Sequence, residues 1–256
     1  MISIERGACP DKLDTTRKKI AANDYQHDTV VSALLVMQHN KCCYCETDIL
    51  KVGATARWVD HFIAKTDVSF KDCDGKTNWK LANAWSNLLM SCSTCNRSKG
   101  TEEPFDSKTG KRRLIDPSDP KIDPENHIEF MIEDVFIVYK SRNGSTLGKN
   151  TIENLKLKAR NDIYSLLRKR KAEIDSIFND LVNALTENNL IMAKSKQNDL
   201  RKMTSAHQPH ASFCRKYIIQ VAQKFNNDNL KKINKYYGLK IEPLEINIAS
   251  GFQKIV

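Results

Sequence analysis

Four cysteines in two C-x-x-C pairs, Cys42 with Cys45 and Cys92 with Cys95, are the residues of this sequence most committed to chemistry. Each C-x-x-C turn brings two thiolates onto the same side of a tight knuckle. Two such knuckles supply the tetrahedral donor set of one structural zinc ion. With 46 residues between Cys45 and Cys92, a folded module must close the site. A single pair would equally suit a redox motif, but two pairs outside a βαβ context point to zinc. The remaining Cys9, Cys43, Cys73 and Cys214 read as buried or surface thiols.

A second group lies between the knuckles: Asp60 and His61 side by side, Asn87, Asn96 directly after Cys95, and Lys99. Phosphodiester hydrolysis needs a base to activate water, a hard cation to neutralise the phosphate and leaving oxygen, and a scaffold that holds them in line. These side chains can supply all three. Neighbours on a strand point to opposite faces, so Asp60 and His61 serve one site only if the strand bends or ends near 61. Lys99 reads either as a phosphate contact or as a solvated helix residue.

The elements that must position these groups follow from periodicity. Val30, Val31, Leu34, Leu35 and Met37 or Gln38 recur at helical spacing after Asp28, a candidate cap, and lead into the first knuckle. Residues 56–62 alternate as a short strand, with Trp58 and Asp60 on one face, and residues 88–91 form its return. Cys95 to Lys99 begin a short helix that Gly100 ends. Pro104, Pro117, Pro120 and Pro124 then crowd 21 residues, which predicts a linker without regular structure. A hairpin over 127–140 follows, turning at Glu133 and Asp134. Beyond it Ile163, Leu166, Leu167, Ile174, Ile177, Phe178, Leu181, Val182 and Leu185 hold a helical stripe, and further helices are expected at 190–203, 213–225 and 230–237. The fold class is α+β: a zinc-stapled module of two short strands and a short helix at 1–103, a linker at 104–126, and a hairpin plus mainly helical domain at 127–256.

Composition narrows the partners. The 256 residues, 40% hydrophobic with nine glycines and seven prolines, exclude collagen-like and low-complexity classes. The longest apolar run, Val30 to Met37, is interrupted by Ser32 and too short for a membrane span, and no secretory signal is visible near Met1, so a cytoplasmic protein is expected. A formal net charge of +10 favours a polyanionic partner, though it equally suits a basic enzyme without one. Ten basic and two acidic residues between Lys140 and Lys171 concentrate that charge. Within this segment the run Arg168, Lys169, Arg170 and Lys171 is the candidate phosphate contact, or else a dock for an acidic protein surface.

The motifs C42-C-Y-C45-E, V59-D-H-F-x-x-K65 and W85-x-N-L-L-x-S-C-x-x-C-N-x-x-K99 resemble the HNH endonuclease family over residues 40–100. More narrowly they resemble the PtuB-type HNH subunits of Septu and retron-associated anti-phage systems, a likeness that T151-I-E-N-L-K-L extends. The resemblance implies that Asp60 and Asn96 hold a catalytic Mg²⁺ or Mn²⁺, that His61 is the general base, and that Asn87 pins the loop carrying His61. It implies that 1–103 is a zinc-stapled ββα-metal (HNH) nuclease module with its structural zinc on Cys42, Cys45, Cys92 and Cys95, and that 127–256 is a substrate- or partner-binding domain. It also implies nucleic acid as substrate, DNA favoured and RNA such as tRNA the alternative, and an ABC-type ATPase encoded alongside as partner. Departures are Asn96 in place of a histidine, Ala64 where relatives often carry proline, and 25 residues between His61 and Asn87. The competing reading is a catalytically silent zinc module that recruits nucleic acid or a partner protein.

Overall fold

The computed structural model describes residues 1–14, 21, 23–51, 56–64, 82–101, 103–134 and 136–226. They divide into two compact units, Met1–Glu129 with Tyr139–Arg160, and Phe130–Val138 with the chain from Asn161 onward. Helices and two small sheets make the chain α+β.

In the first unit, helix α1 (Asp28–Met37) buries Val30 and Leu34 against strand β2 (Leu88–Cys92). Its cap is His27, one residue before the expected Asp28: Nδ1 accepts from the Thr29 amide at 3.3 Å. Asp28 sits in the first turn, where a carboxylate favours the positive end of the helix. Strand β1 (Arg57–His61) pairs antiparallel with β2, Arg57 opposite Cys92 and His61 opposite Leu88. Buried Gln38 ties α1 to β2, because its Nε2 donates to Met90 O at 2.7 Å and its Oε1 accepts from Met90 N at 2.7 Å. Helix α2 (Ser93–Lys99) follows β2 without a gap and stops at Gly100, whose φ of 56° and ψ of −133° suit a residue without Cβ.

The proline segment departs from the expected linker by folding onto the first unit. Leu114 and Ile115 are buried, and Ile115 N donates to Thr151 Oγ1 at 3.0 Å. Arg6 staples it from the other side, donating to Trp85 O at 2.6 Å and to Ser118 Oγ at 2.8 Å. Proline forbids a ladder but not packing; Asp116 instead caps the Ser118 amide at 2.9 Å, and Arg112 pairs with Asp119 at 2.6 Å. Helix α3 (Thr146–Asn154) is capped by Ser145, and at Gly148 an added Cβ would lie 2.0 Å from His127 O, so only glycine fits.

Strands β3 (Ile128–Glu133) and β4 (Phe136–Ser141) pair in the second sheet, as the 127–140 pattern predicts, with Asp134 at positive φ in the turn. In the second unit, α4 (Asn161–Thr186) packs its Ile163, Leu167, Ile174, Phe178, Leu181 and Leu185 stripe onto α5 (Leu190–Met203) and α6 (Ala211–Lys224). Phe213 meets Phe130 edge-on at 5.4 Å. The helix expected at 230–237 lies outside the described residues, as does Cys73. Among the described residues no helix is long and apolar enough to cross a membrane.

Candidate active site

The first knuckle leaves α1 through residues in left-handed conformation, His39, Asn40 and Glu46, which let Cys42 N bond Thr47 O at 2.9 Å and Glu46 N bond Cys42 O at 3.0 Å. Cys43 N donates to Met90 O at 3.0 Å, which docks this knuckle on β2. The second knuckle is the β2 to α2 junction itself, where Cys92 Sγ accepts from Cys95 N at 3.5 Å. The register of one hairpin therefore sets both knuckles against each other.

The sulfurs of Cys42, Cys45, Cys92 and Cys95 lie within 4.8 Å of one another, and all four residues are buried. Cys45 Sγ and Cys92 Sγ are 3.8 Å apart. With zinc–sulfur bonds of about 2.3 Å, the edge of a tetrahedron is about 3.8 Å. Four soft donors at that spacing fit a zinc ion. Burial pushes the Cys42 thiol well up, and hydrogen bonding to Cys42 pushes Cys45 and Cys95 well up, while bonds from the other three push Cys92 far down. Burial and mutual crowding oppose ionisation of the cluster as a whole, and a bound cation would let all four sulfurs ionise.

Arg160, buried 65 residues downstream, points its guanidinium at the second knuckle, Nη1 3.3 Å from Cys95 Sγ and Nη2 3.9 Å from Cys92 Sγ. Four thiolates around one zinc would leave two negative charges, which this cation would oppose. Nothing in the local sequence announces that role.

A cleft of about 580 Å³ opens beside this frame, lined by residues that include Trp58, Asp60, His61, Asn96 and Lys99. All five residues of β1, Asp60 and His61 among them, border the cleft. Asn87 holds that end: its backbone carbonyl accepts from Phe62 N at 2.9 Å, Oδ1 accepts from Ile63 N at 2.8 Å, and Nδ2 donates to Ile63 O at 3.2 Å. His61 Nε2 lies 2.7 Å from Ala82 O, and the ring meets Tyr25 edge-on at 4.7 Å. A carbonyl partner requires the proton on Nε2, which leaves Nδ1 as the basic nitrogen.

Asp60 is 3% exposed and fully engaged: Tyr44 donates to Oδ2 at 2.6 Å and Lys99 Nζ lies 3.3 Å from Oδ1. Burial raises its pKa, against the pull of Lys99 and Tyr44. Lys99 also donates to His61 O at 2.7 Å and is 1% exposed. This corrects the reading of Lys99 as a solvated residue: on the wall of the cleft it bridges the backbone of His61 and the carboxylate of Asp60. Tyr44, inside the first C-x-x-C, was not singled out by sequence; a tyrosine there reads as filler until the fold sets it against Asp60. Asn96 lines the cleft from α2, half-buried.

The basic run lies on α4 in the second unit. Arg168 and Lys169 are exposed. Arg170 pairs with Glu173 at 2.8 Å, and Lys171 pairs with Asp175 at 2.8 Å and covers the Tyr217 ring at 4.9 Å. Half of the run is therefore engaged within its own helical unit.

Two curated proteins, each named Septu protein PtuB, are similar to the chain. The one from Bacillus mycoides (strain KBAB4) is 28% identical over 174 residues, 62% of this chain and 54% of the relative. The one from Bacillus thuringiensis is 32% identical over 165 residues, 61% of this chain and 54% of the relative. The chain is PtuB-like. It spans about half the length of the curated relatives it matches. No protein-family model matches the chain, and no solved structure does. The narrow resemblance drawn from the spaced motifs is thus the one that comparison returns.

Proposed function

We propose that this PtuB-like chain is a metal-dependent HNH-type endonuclease that hydrolyses phosphodiester bonds in nucleic acid as part of a Septu-type anti-phage defence system. DNA is the favoured substrate and RNA such as tRNA the alternative, with an ABC-type ATPase as partner. The observation that carries the reading is the shared cleft: Asp60, His61 and Asn96 line one cavity on the hairpin and helix that also bring the four cysteines together.

In this reading His61 takes a proton from water at Nδ1 while Ala82 O holds Nε2–H and fixes the ring. Asn87 clamps Ile63, so the chain carrying His61 keeps one orientation. Asp60 and Asn96 offer oxygen donors that suit Mg²⁺ or Mn²⁺, and such an ion, when bound, would neutralise charge on the phosphate and leaving oxygen. Each carboxylate oxygen has a second lone pair beyond those met by Tyr44 and Lys99, so the donor set accommodates it.

One observation favours the catalytically silent module: both Asp60 oxygens already have protein partners, as a purely structural carboxylate would. Incubating the purified chain with DNA and with tRNA, in Mg²⁺ or Mn²⁺ and with or without the candidate ATPase, separates the two. The nuclease reading expects metal-dependent cleavage that Asp60→Asn weakens and added metal partly restores. Binding without cleavage under every condition would leave the recruiting module.

A further inference from the structure

On strand β1, Trp58 is 51% exposed. Half of the indole is open to solvent, so a flat apolar ring face is available on this strand. Its place limits what that partner is. Trp58 and Asp60 are two residues apart on one strand, so they share a face and stand about 6.6 to 6.8 Å apart along it. Both line the same cleft, with Arg57 alongside. A chain whose phosphate lies at Asp60 therefore brings its adjoining nucleoside against the indole.

In a duplex the π-faces of the bases are already stacked on their neighbours, and only base edges and backbone face outward. A flat indole has nothing to stack on there. An unpaired base offers its whole face, and every base has one, so the interaction is tolerant of sequence and of sugar. We infer that Trp58 is a stacking platform for an unpaired nucleobase next to the scissile phosphate, so that the substrate is single-stranded or locally unpaired nucleic acid. The inference rests on the nuclease reading and names the substrate class of that same site.

The test is equilibrium binding by fluorescence anisotropy, using the full chain with His61→Ala to prevent cleavage. The probes are a labelled single-stranded DNA, the same sequence as RNA, and a DNA duplex. Trp58→Ala should weaken both single strands roughly 5- to 150-fold, the range that stacking of one base supplies, and change the duplex by less than about twofold. Trp58→Phe should retain most of the affinity. Because the indole is exposed, zinc content and circular dichroism should match the parent; if they do not, tryptophan fluorescence carries the comparison, with quenching by single strands expected in the parent and reduced in Trp58→Phe, and equal quenching in the two overturning the inference. Single-strand affinity unchanged by Trp58→Ala, or lost equally on the duplex, overturns the inference. Unchanged nucleic-acid binding with lost ATPase association would make Trp58 a protein contact and overturn it too. If the parent binds no nucleic acid at all, the nuclease reading falls with it; if the parent binds and only Trp58 proves irrelevant, that reading stands.

Discussion

The four cysteines and the Asp60–His61 cleft share two strands and one short helix, yet their side chains are satisfied in opposite ways. In the cysteine cluster the donors are chemically alike, buried, and spaced to fit one metal ion, with the Arg160 guanidinium set against two of them. In and beside the cleft the groups are of unlike kinds, and protein partners hold three of them: Tyr44 and Lys99 hold Asp60, Ala82 O holds His61, and Ile63 holds Asn87. A closed set of like donors makes a frame. A set of unlike donors held by the frame, and bordering open volume, makes a reacting surface.

If that division is right, the frame should break hardest. Cys45→Ser or Cys92→Ser removes a ligand whose site is worth on the order of 10 to 16 kcal/mol in zinc-finger peptides, more than a module of this size draws from its core. Zinc content and circular dichroism should fall together. Elemental analysis of the unmutated chain should give close to one zinc, and a folded module with less than about half an equivalent would remove the frame from the account.

Lys99→Met tests the cleft's own scaffolding. Leaving Asp60 buried without its cation should cost about 3 to 5 kcal/mol in denaturant unfolding, with zinc retained by the folded fraction. Loss of zinc from folded protein would show that the two regions are not separable. Arg160→Gln should be milder, leaving the fold but speeding zinc loss to a chelator by about 10- to 100-fold, as changes beside metal ligands do. An unchanged release rate would make the guanidinium a packing group.

These regions were not equally legible in the sequence. The cysteine cluster was, because a tetrahedron of thiolates demands paired spacing that few other purposes impose. So were the strands and helices around it, and the bounds of α5, because apolar period is local. The roles of Lys99, Tyr44, Arg160 and Arg6 were not, since each depends on a partner 16 to 112 residues away, and distance along the chain carries no pattern. Lys99 misled for a definite reason: a lysine in the last turn of a short helix ordinarily faces water. The proline segment misled likewise, because absence of regular structure says nothing about packing.

The smallest effects belong to the second unit, where the exposed half of the basic run tests whether that charge serves the cleft. Replacing Arg168 and Lys169 by glutamate should lower the slope of log affinity against log salt by roughly 0.7 to 0.9 for each phosphate that is no longer neutralised. An unchanged slope together with lost ATPase assembly would assign the run to a protein surface.

If a zinc-closed frame holds a histidine base over nucleic acid, the decisive variant is His61→Ala, assayed beside the unmutated chain at matched zinc content and matched circular dichroism. The account predicts cleavage reduced by about 10² to 10⁴ with frame and fold intact. Undiminished cleavage by His61→Ala, in protein free of other nucleases, would contradict it.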